Sequence, residues 1–195
     1  MPRLWIPALA IVLLACAACG GTSDSPPTAL HSRSSASGAV TPSPSVPAEL
    51  AGYDASEREA FGAAVDALHR FSRTSDRFIR QGRLTPDQAK FYRKNSVRWT
   101  DDWAALAQLV NGRITMRGAA RELWTRPLSI DLNAGADEVV VVRRCLDQTK
   151  VRVFAEGKEV PQLQLKTPRI YRVQMLKKQA EDHWRTGLPK QGAPC

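Results

Sequence analysis

Hydrophobic and polar positions divide the chain into four stretches with different patterns. Residues 4–14 form an uninterrupted apolar run, and residues 20–48 are mostly Ser, Pro, Thr, Gly and Ala. Apolar residues then recur every three or four positions as far as Gly112, and beyond it several segments alternate between apolar and polar residues. These patterns predict an export signal at 1–15, a tether at 16–48 and one folded domain at 49–195.

The stretch with the three-to-four-residue period begins with one long predicted helix. Ser56 is an N-cap candidate, because the acidic residues Glu57 and Glu59 follow it in the first turn, where the helix dipole favours negative charge. Gly82 is placed to end this helix. The spacing expected of one buried helical stripe is kept by Phe61, Val65, Leu68 and Phe71.

Two shorter helices are predicted to follow. Thr85 is an N-cap candidate, Pro86 suits the first helical position, and Gln88 stands where a capping box needs an amide or acid. A third start is indicated by Thr100, Asp101 and Asp102, and the Asn-Gly pair at 111–112 ends that helix.

Beyond Gly112 the chain shows the two-residue period of strands. Residues 128–132 alternate, with Leu128, Ile130 and Leu132 on one face, and residues 139–145 contain a β-branched run. Further strands are indicated at 151–154, at 170–176 and around 183–185. Helices followed by strands linked through short turns predict an α+β fold.

The N-terminal apolar run ends in Leu-Leu-Ala-Cys, which resembles the lipobox of bacterial lipoproteins. The resemblance implies that a cysteine is lipidated and becomes the new N-terminus on the extracytoplasmic side of the cell membrane. Cys16 is the favoured residue because Leu13 stands three positions before it; Cys19 is the alternative. The competing interpretations are a secretory signal cut elsewhere and a retained helix. The apolar run has about a dozen residues, whereas a membrane-spanning helix needs roughly 20.

The tether that follows is predicted to be disordered, because its composition offers too little apolar surface to bury. About 30 flexible residues give an end-to-end distance on the order of 30 Å, enough to hold a domain clear of a membrane surface.

The folded part resembles the nuclear transport factor 2-like cone, and more closely the small actinobacterial lipoproteins with that fold. The resemblance extends from about Tyr53 to Cys195. It is carried by Gly112 and Gly118, the strand at 128–132, the Cys-Leu-Asp ending at 145–147, the late hairpin that reaches Trp184, and the terminal cysteine. It implies that the N-terminal helices pack in the hollow of one curved antiparallel sheet.

Cys145 and Cys195 are the two cysteines of the predicted folded domain. In the oxidising compartment that an export signal implies, two such cysteines usually pair, so we expect a disulfide. The rival interpretation is a free nucleophilic thiol, which no recognisable base pattern supports.

The chain is basic, with a formal net charge of +9. A basic surface suits anionic lipid head groups or anionic envelope polymers, and the plainer alternative is a set of solvated faces. A nucleic-acid partner is not expected, because the chain has an export signal and no aromatic-rich basic motif. The basic residues are spread widely, and the densest group on one predicted helix is Arg70, Arg73, Arg77 and Arg80.

The sequence shows no catalytic constellation and supports neither a metal nor a cofactor. His31, His69 and His183 lack metal-ligand spacing. His183 follows Asp182, but neighbours in a turn usually point apart.

Four aromatic residues are candidates for lining an apolar pocket, although filling the core is the plainer role: Trp99, Trp103, Trp124 and Tyr171. The favoured hypothesis is a membrane-tethered envelope protein with a non-enzymatic binding domain. The alternatives are a cone-fold enzyme acting on a small apolar molecule and a protein that blocks or recruits a macromolecule at the membrane, such as a phage component.

Overall fold

A computed structural model describes residues 48–135, 137–178 and 181–195. Cys16 and Cys19 lie outside these residues, as do the predicted export signal and the tether up to Pro47. In the part of the chain that is described, no helix is long and apolar enough to cross a bilayer.

Three α-helices come first: α1 (Ala55–Gln81), α2 (Pro86–Asn95) and α3 (Trp99–Asn111). The N-cap of α1 is Asp54, so the assignment to Ser56 was wrong. The Glu57 N–H donates to Asp54 Oδ1 at 2.9 Å and the Asp54 N–H donates to Glu57 Oε2 at 2.8 Å, which forms a capping box. Ser56 instead donates its hydroxyl proton to Asp54 Oδ1.

The other predicted helix boundaries agree with the structure to within one residue. Gly82 follows α1 in the left-handed conformation at φ 59°, which a glycine adopts without steric cost. Thr85 and Gln88 form the predicted capping box at the start of α2. Helix α3 begins at Trp99, one residue before the predicted start, and ends before Gly112.

The strands form two antiparallel sheets, which confirms the α+β class. One contains β1 (Ile114–Arg117), β4 (Arg152–Ala155) and β5 (Lys158–Glu159), in the order β1-β4-β5. The other has the order β2-β3-β6-β7, and β8 also pairs with β6. Its strands are β2 (Arg121–Ala134), β3 (Asp137–Asp147), β6 (Arg169–Lys178), β7 (Arg185–Thr186) and β8 (Lys190–Pro194).

The predicted alternation holds along β6, where Tyr171, Val173 and Met175 are buried. It fails at Leu128 in β2, which is exposed although it was predicted to share a buried face with Ile130 and Leu132. The pairing of β2 with β3 shifts register between Pro127 and Ser129, and such an irregularity reorients the side chain within it.

The core has two main parts, which meet along α1. Phe61 and Leu68 of α1 pack on Val140 and Val142 of β3, together with residues of β6 and Trp184. Farther along the same helix, Phe71 and Ile79 pack with the other two helices. Helix α1 therefore links the large sheet to the helical layer.

A disulfide joins Cys145 of β3 to Cys195, with their Cα atoms 6.2 Å apart, so the predicted bridge is confirmed. It fixes the chain end that follows β8, which itself pairs with β6.

Candidate functional site

An open cleft of about 740 Å³ lies beside α1. This volume is within the range of about 300–1,000 Å³ that is typical of small-molecule sites. The lining residues come from α1, from α2 and from the segment before β7: Ala67, Arg70, Phe71, Arg73, Thr74, Asp76, Arg77, Arg80, Gln81, Phe91, Asn95, His183 and Trp184.

The apolar lining of this cleft comes from side chains that also belong to the two cores. Phe71 of α1 stacks against Phe91 of α2, with their ring centroids 5.6 Å apart. Trp184 belongs to the core between α1 and the large sheet. Because these rings are held by packing on their other sides, the cleft has a preformed apolar floor.

Arginines surround this floor. Arg70, Arg73, Arg77 and Arg80 follow one another at intervals of three and four residues, which places them on one side of α1. Of these four, only Arg80 has an acidic partner in the part of the chain that the structure describes: its Nη2 atom lies 2.9 Å from Asp76 Oδ2. The same guanidinium donates to the Gly118 carbonyl at 3.1 Å. Within the described residues, Arg70, Arg73 and Arg77 form no ion pair, and Arg77 makes one long hydrogen bond, to Thr74 Oγ1 at 3.4 Å. The cleft therefore has three cationic groups without acidic partners.

His183 is the one histidine among the lining residues. Its Nε2 atom donates to the Lys94 carbonyl at 3.1 Å and lies 3.8 Å from Glu181 Oε2. The neighbour Asp182, considered from the sequence as its acid–base partner, is not the group that it contacts.

The side of α1 that faces the sheet carries a second polar cluster, which the sequence did not predict. His69 Nε2 lies 3.2 Å from Glu122 Oε1, and Arg144 Nη2 lies 2.9 Å from Glu122 Oε2. Arg144 Nη1 donates to Ser72 Oγ at 3.3 Å, and the Arg144 side chain is 1% exposed. Burial raises the pKa of Glu122, but the hydrogen bonds from His69 and Thr125 and the charge of Arg144 together outweigh burial and hold that pKa below its usual value.

Asp101 and Asp102, interpreted from sequence as ordinary acids at a helix start, have different environments. Asp101 pairs with Arg98 at the surface, whereas Asp102 is 2% exposed and accepts a hydrogen bond from the Ser96 hydroxyl. Burial raises the pKa of Asp102, and the bond from Ser96 opposes that rise.

None of the four aromatic residues singled out from sequence lines the cleft. Trp99 and Trp103 pack against the core among the helices. Trp124 lies beneath the guanidinium groups of Arg126 and Arg143, at 4.9 and 5.9 Å from its ring centre. Tyr171 is buried and donates its hydroxyl proton to Gln148 Oε1 at 2.7 Å.

The chemistry of the described residues offers no obvious metal centre. No three His, Cys, Asp or Glu side chains come together there in a way that would hold an ion.

Comparison with models of known families gives no match, and comparison with curated proteins gives none either. Among solved structures, the chain is similar to the intermembrane-space region of the chloroplast protein ARC6. The identity is 11%, the TM-score is 0.45, and the alignment covers 70% of this chain and 96% of the other. A likeness at this level carries no inference about function.

Proposed function

We propose that this protein is a lipid-anchored component of a bacterial cell envelope, and that its folded domain is a non-enzymatic binding module. The observation that carries the binding role is the cleft beside α1, in which three arginines with no acidic partner among the described residues surround an apolar floor. The proposed ligand site is therefore this cleft.

The chemistry of the lining residues favours binding over catalysis. A guanidinium stays protonated at neutral pH, so the four arginines are poor general acids or bases but good permanent cations. Asp76 is occupied by Arg80, and the Nε2 atom of His183 by the Lys94 carbonyl. The arginines can attract and orient an anion. Asp76 and His183 already have partners and are not arranged to move a proton.

The ligand site is tested by native mass spectrometry of the full chain extracted from envelopes in mild detergent. We expect a bound small molecule that is absent from the triple variant R70Q/R73Q/R77Q. The matched control is K158Q/K166Q/R172Q, which removes three positive charges at exposed positions outside the cleft. If all three proteins carry the same ligand, or none does, the cleft is not the binding site.

The anchor is supported by the Leu-Leu-Ala-Cys ending, and it is tested separately. Palmitate labelling in a bacterial host is expected to be lost in Cys16→Ala and kept in Cys19→Ala. Loss only in the second variant would assign the lipid to Cys19. Label retained in both single variants and in the double variant would refute the lipoprotein assignment.

One observation favours the enzyme alternative: the imidazole of His69, 32% exposed, faces the carboxylate of Glu122, as in many acid–base pairs. Arg144 already balances that carboxylate, which favours a structural role. If the ligand recovered from the native protein is converted to a product by the full chain and not by H69Q, the enzyme assignment replaces binding.

A further inference from the structure

We infer that the cleft binds an anionic amphiphile with a single hydrocarbon chain and a phosphate head group. The chain would lie on the floor formed by Phe71, Phe91 and Trp184, and the phosphate would bind at Arg70, Arg73 and Arg77. This inference rests on the proposed binding function and adds the chemical class of the ligand.

The charges of the cleft select the head group. A phosphate monoester carries between about −1.5 and −2 charges at neutral pH and offers three acceptor oxygens. Arginine matches such oxygens with two parallel N–H donors, and three guanidinium groups without acidic partners supply more than one such contact. A carboxylate would leave more of this positive charge unbalanced.

The floor selects the rest of the ligand. Phe71 and Trp184 are 8% and 6% exposed and Phe91 is half-buried, so part of each ring still faces the cleft. An inorganic anion would satisfy the arginines and leave this apolar surface in water, whereas a hydrocarbon chain covers it. The volume of about 740 Å³ is that of a small-molecule site. Peptides that bind by strand addition need an exposed sheet edge, and none of the lining residues belongs to a strand.

The experiment is a calorimetric titration of the full chain in phosphatidylcholine nanodiscs with octyl phosphate, kept below its micelle-forming concentration. Empty discs give the background. Inorganic phosphate tests the head group alone, and octyl glucoside tests the chain without charge. We expect saturable binding of octyl phosphate, with each of the other two compounds at least tenfold weaker.

Two variants locate the binding. R70Q/R73Q/R77Q is expected to weaken octyl phosphate at least tenfold, and the charge-matched K158Q/K166Q/R172Q to stay within twofold of wild type. Thr74→Trp places a large ring in the cleft and retains all three guanidinium groups, although it removes the long hydrogen bond between Arg77 and Thr74. It is expected to abolish octyl phosphate binding, which keeps the inference testable if the triple variant does not fold.

Three results would overturn the inference. Inorganic phosphate that binds as tightly as octyl phosphate would show an anion site without a chain site. Binding to phosphatidylglycerol vesicles without binding of octyl phosphate would show docking to a membrane surface. The third result has two parts: octyl phosphate does not bind, but the protein carries a native ligand that is lost in R70Q/R73Q/R77Q. That result would refute the ligand class and leave the binding function standing.

Discussion

The arginines on the two sides of helix α1 differ in burial and in charge pairing. On the side toward the sheet, Arg144 of β3 is 1% exposed and lies 2.9 Å from Glu122, which also contacts His69. On the side toward the cleft, Arg70, Arg73 and Arg77 are exposed and have no acidic partner among the described residues. A buried charge needs a partner because desolvation is costly, whereas a solvated charge needs none and stays available to a ligand. The paired arginine therefore belongs to the fold, and the unpaired arginines belong to the proposed binding site.

The largest expected effect comes from removing the buried guanidinium. Arg144→Met leaves the Glu122 carboxylate without the guanidinium that balances it, and breaking such a buried pair costs about 3–5 kcal/mol of unfolding free energy. Arg73→Met, at an exposed position, should change stability by less than about 0.5 kcal/mol. Urea unfolding at pH 7 measures both. Equal losses would remove the distinction between the two sides of α1.

The next largest effect concerns the disulfide, which begins at Cys145, the neighbour of Arg144 on β3. Closing a loop across a sequence separation of 50 residues stabilises by about 4 kcal/mol in the chain-entropy model, and measured values are typically about 2–4 kcal/mol. We expect a loss of this size in urea unfolding when wild type is reduced. The control is C145A/C195A, on which the reductant should have no effect. Free thiols at Cys145 and Cys195 in the native protein would contradict the bridge.

A smaller effect is expected from the titration of Glu122. The folded-state pKa of Glu122 is held below its ordinary value of 4.5, so its carboxylate contributes stability that is fully present above about pH 4.5. This contribution is lost as the pH falls through the folded pKa. Glu122→Gln should be less stable at pH 7 and should lose less stability than wild type between pH 5 and 2. Parallel stability curves for the two proteins would show that the cluster around Arg144 does not depend on this charge.

The sequence predicted the features of the fold that are decided locally. Thr85 and Gln88 formed the expected capping box, and β6 buried the expected alternate residues. The start of α1 was misplaced at Ser56, although Asp54 and Glu57 have the spacing of a capping box and were the available signal. Leu128 was misassigned because a register shift in a paired strand depends on both strands.

The sequence could predict the charged residues of the candidate site but not the cleft that they line. The spacing of the four arginines on α1 could be read from the sequence, but a charged helical face is ordinarily just solvated. What makes the face a cleft is the placement of Phe91 from α2 and Trp184 from the segment before β7 beside it. That placement follows from how α2 and β7 pack, and no local pattern encodes it. The Arg144–Glu122 pair was missed for the same reason, since it joins two strands and faces α1.

The smallest expected effect has the opposite sign from the others. Arg77 has Arg73 four residues before it and Arg80 three residues after it, with no acidic residue at those helical spacings. Each like-charged pair destabilises a helix by about 0.2–0.5 kcal/mol, so Arg77→Gln should stabilise the protein by up to about 1 kcal/mol at low salt. The gain should fall in 1 M salt, where the screening length is about 3 Å. Urea unfolding at the two salt concentrations measures it, and Lys166→Gln, at an exposed position between β5 and β6, is the control. The same R77Q variant should bind octyl phosphate more weakly than wild type. A substitution that stabilises the fold and weakens binding is expected at a residue whose role is to bind a ligand. If R77Q instead destabilises the protein, Arg77 has a structural role, like Arg144.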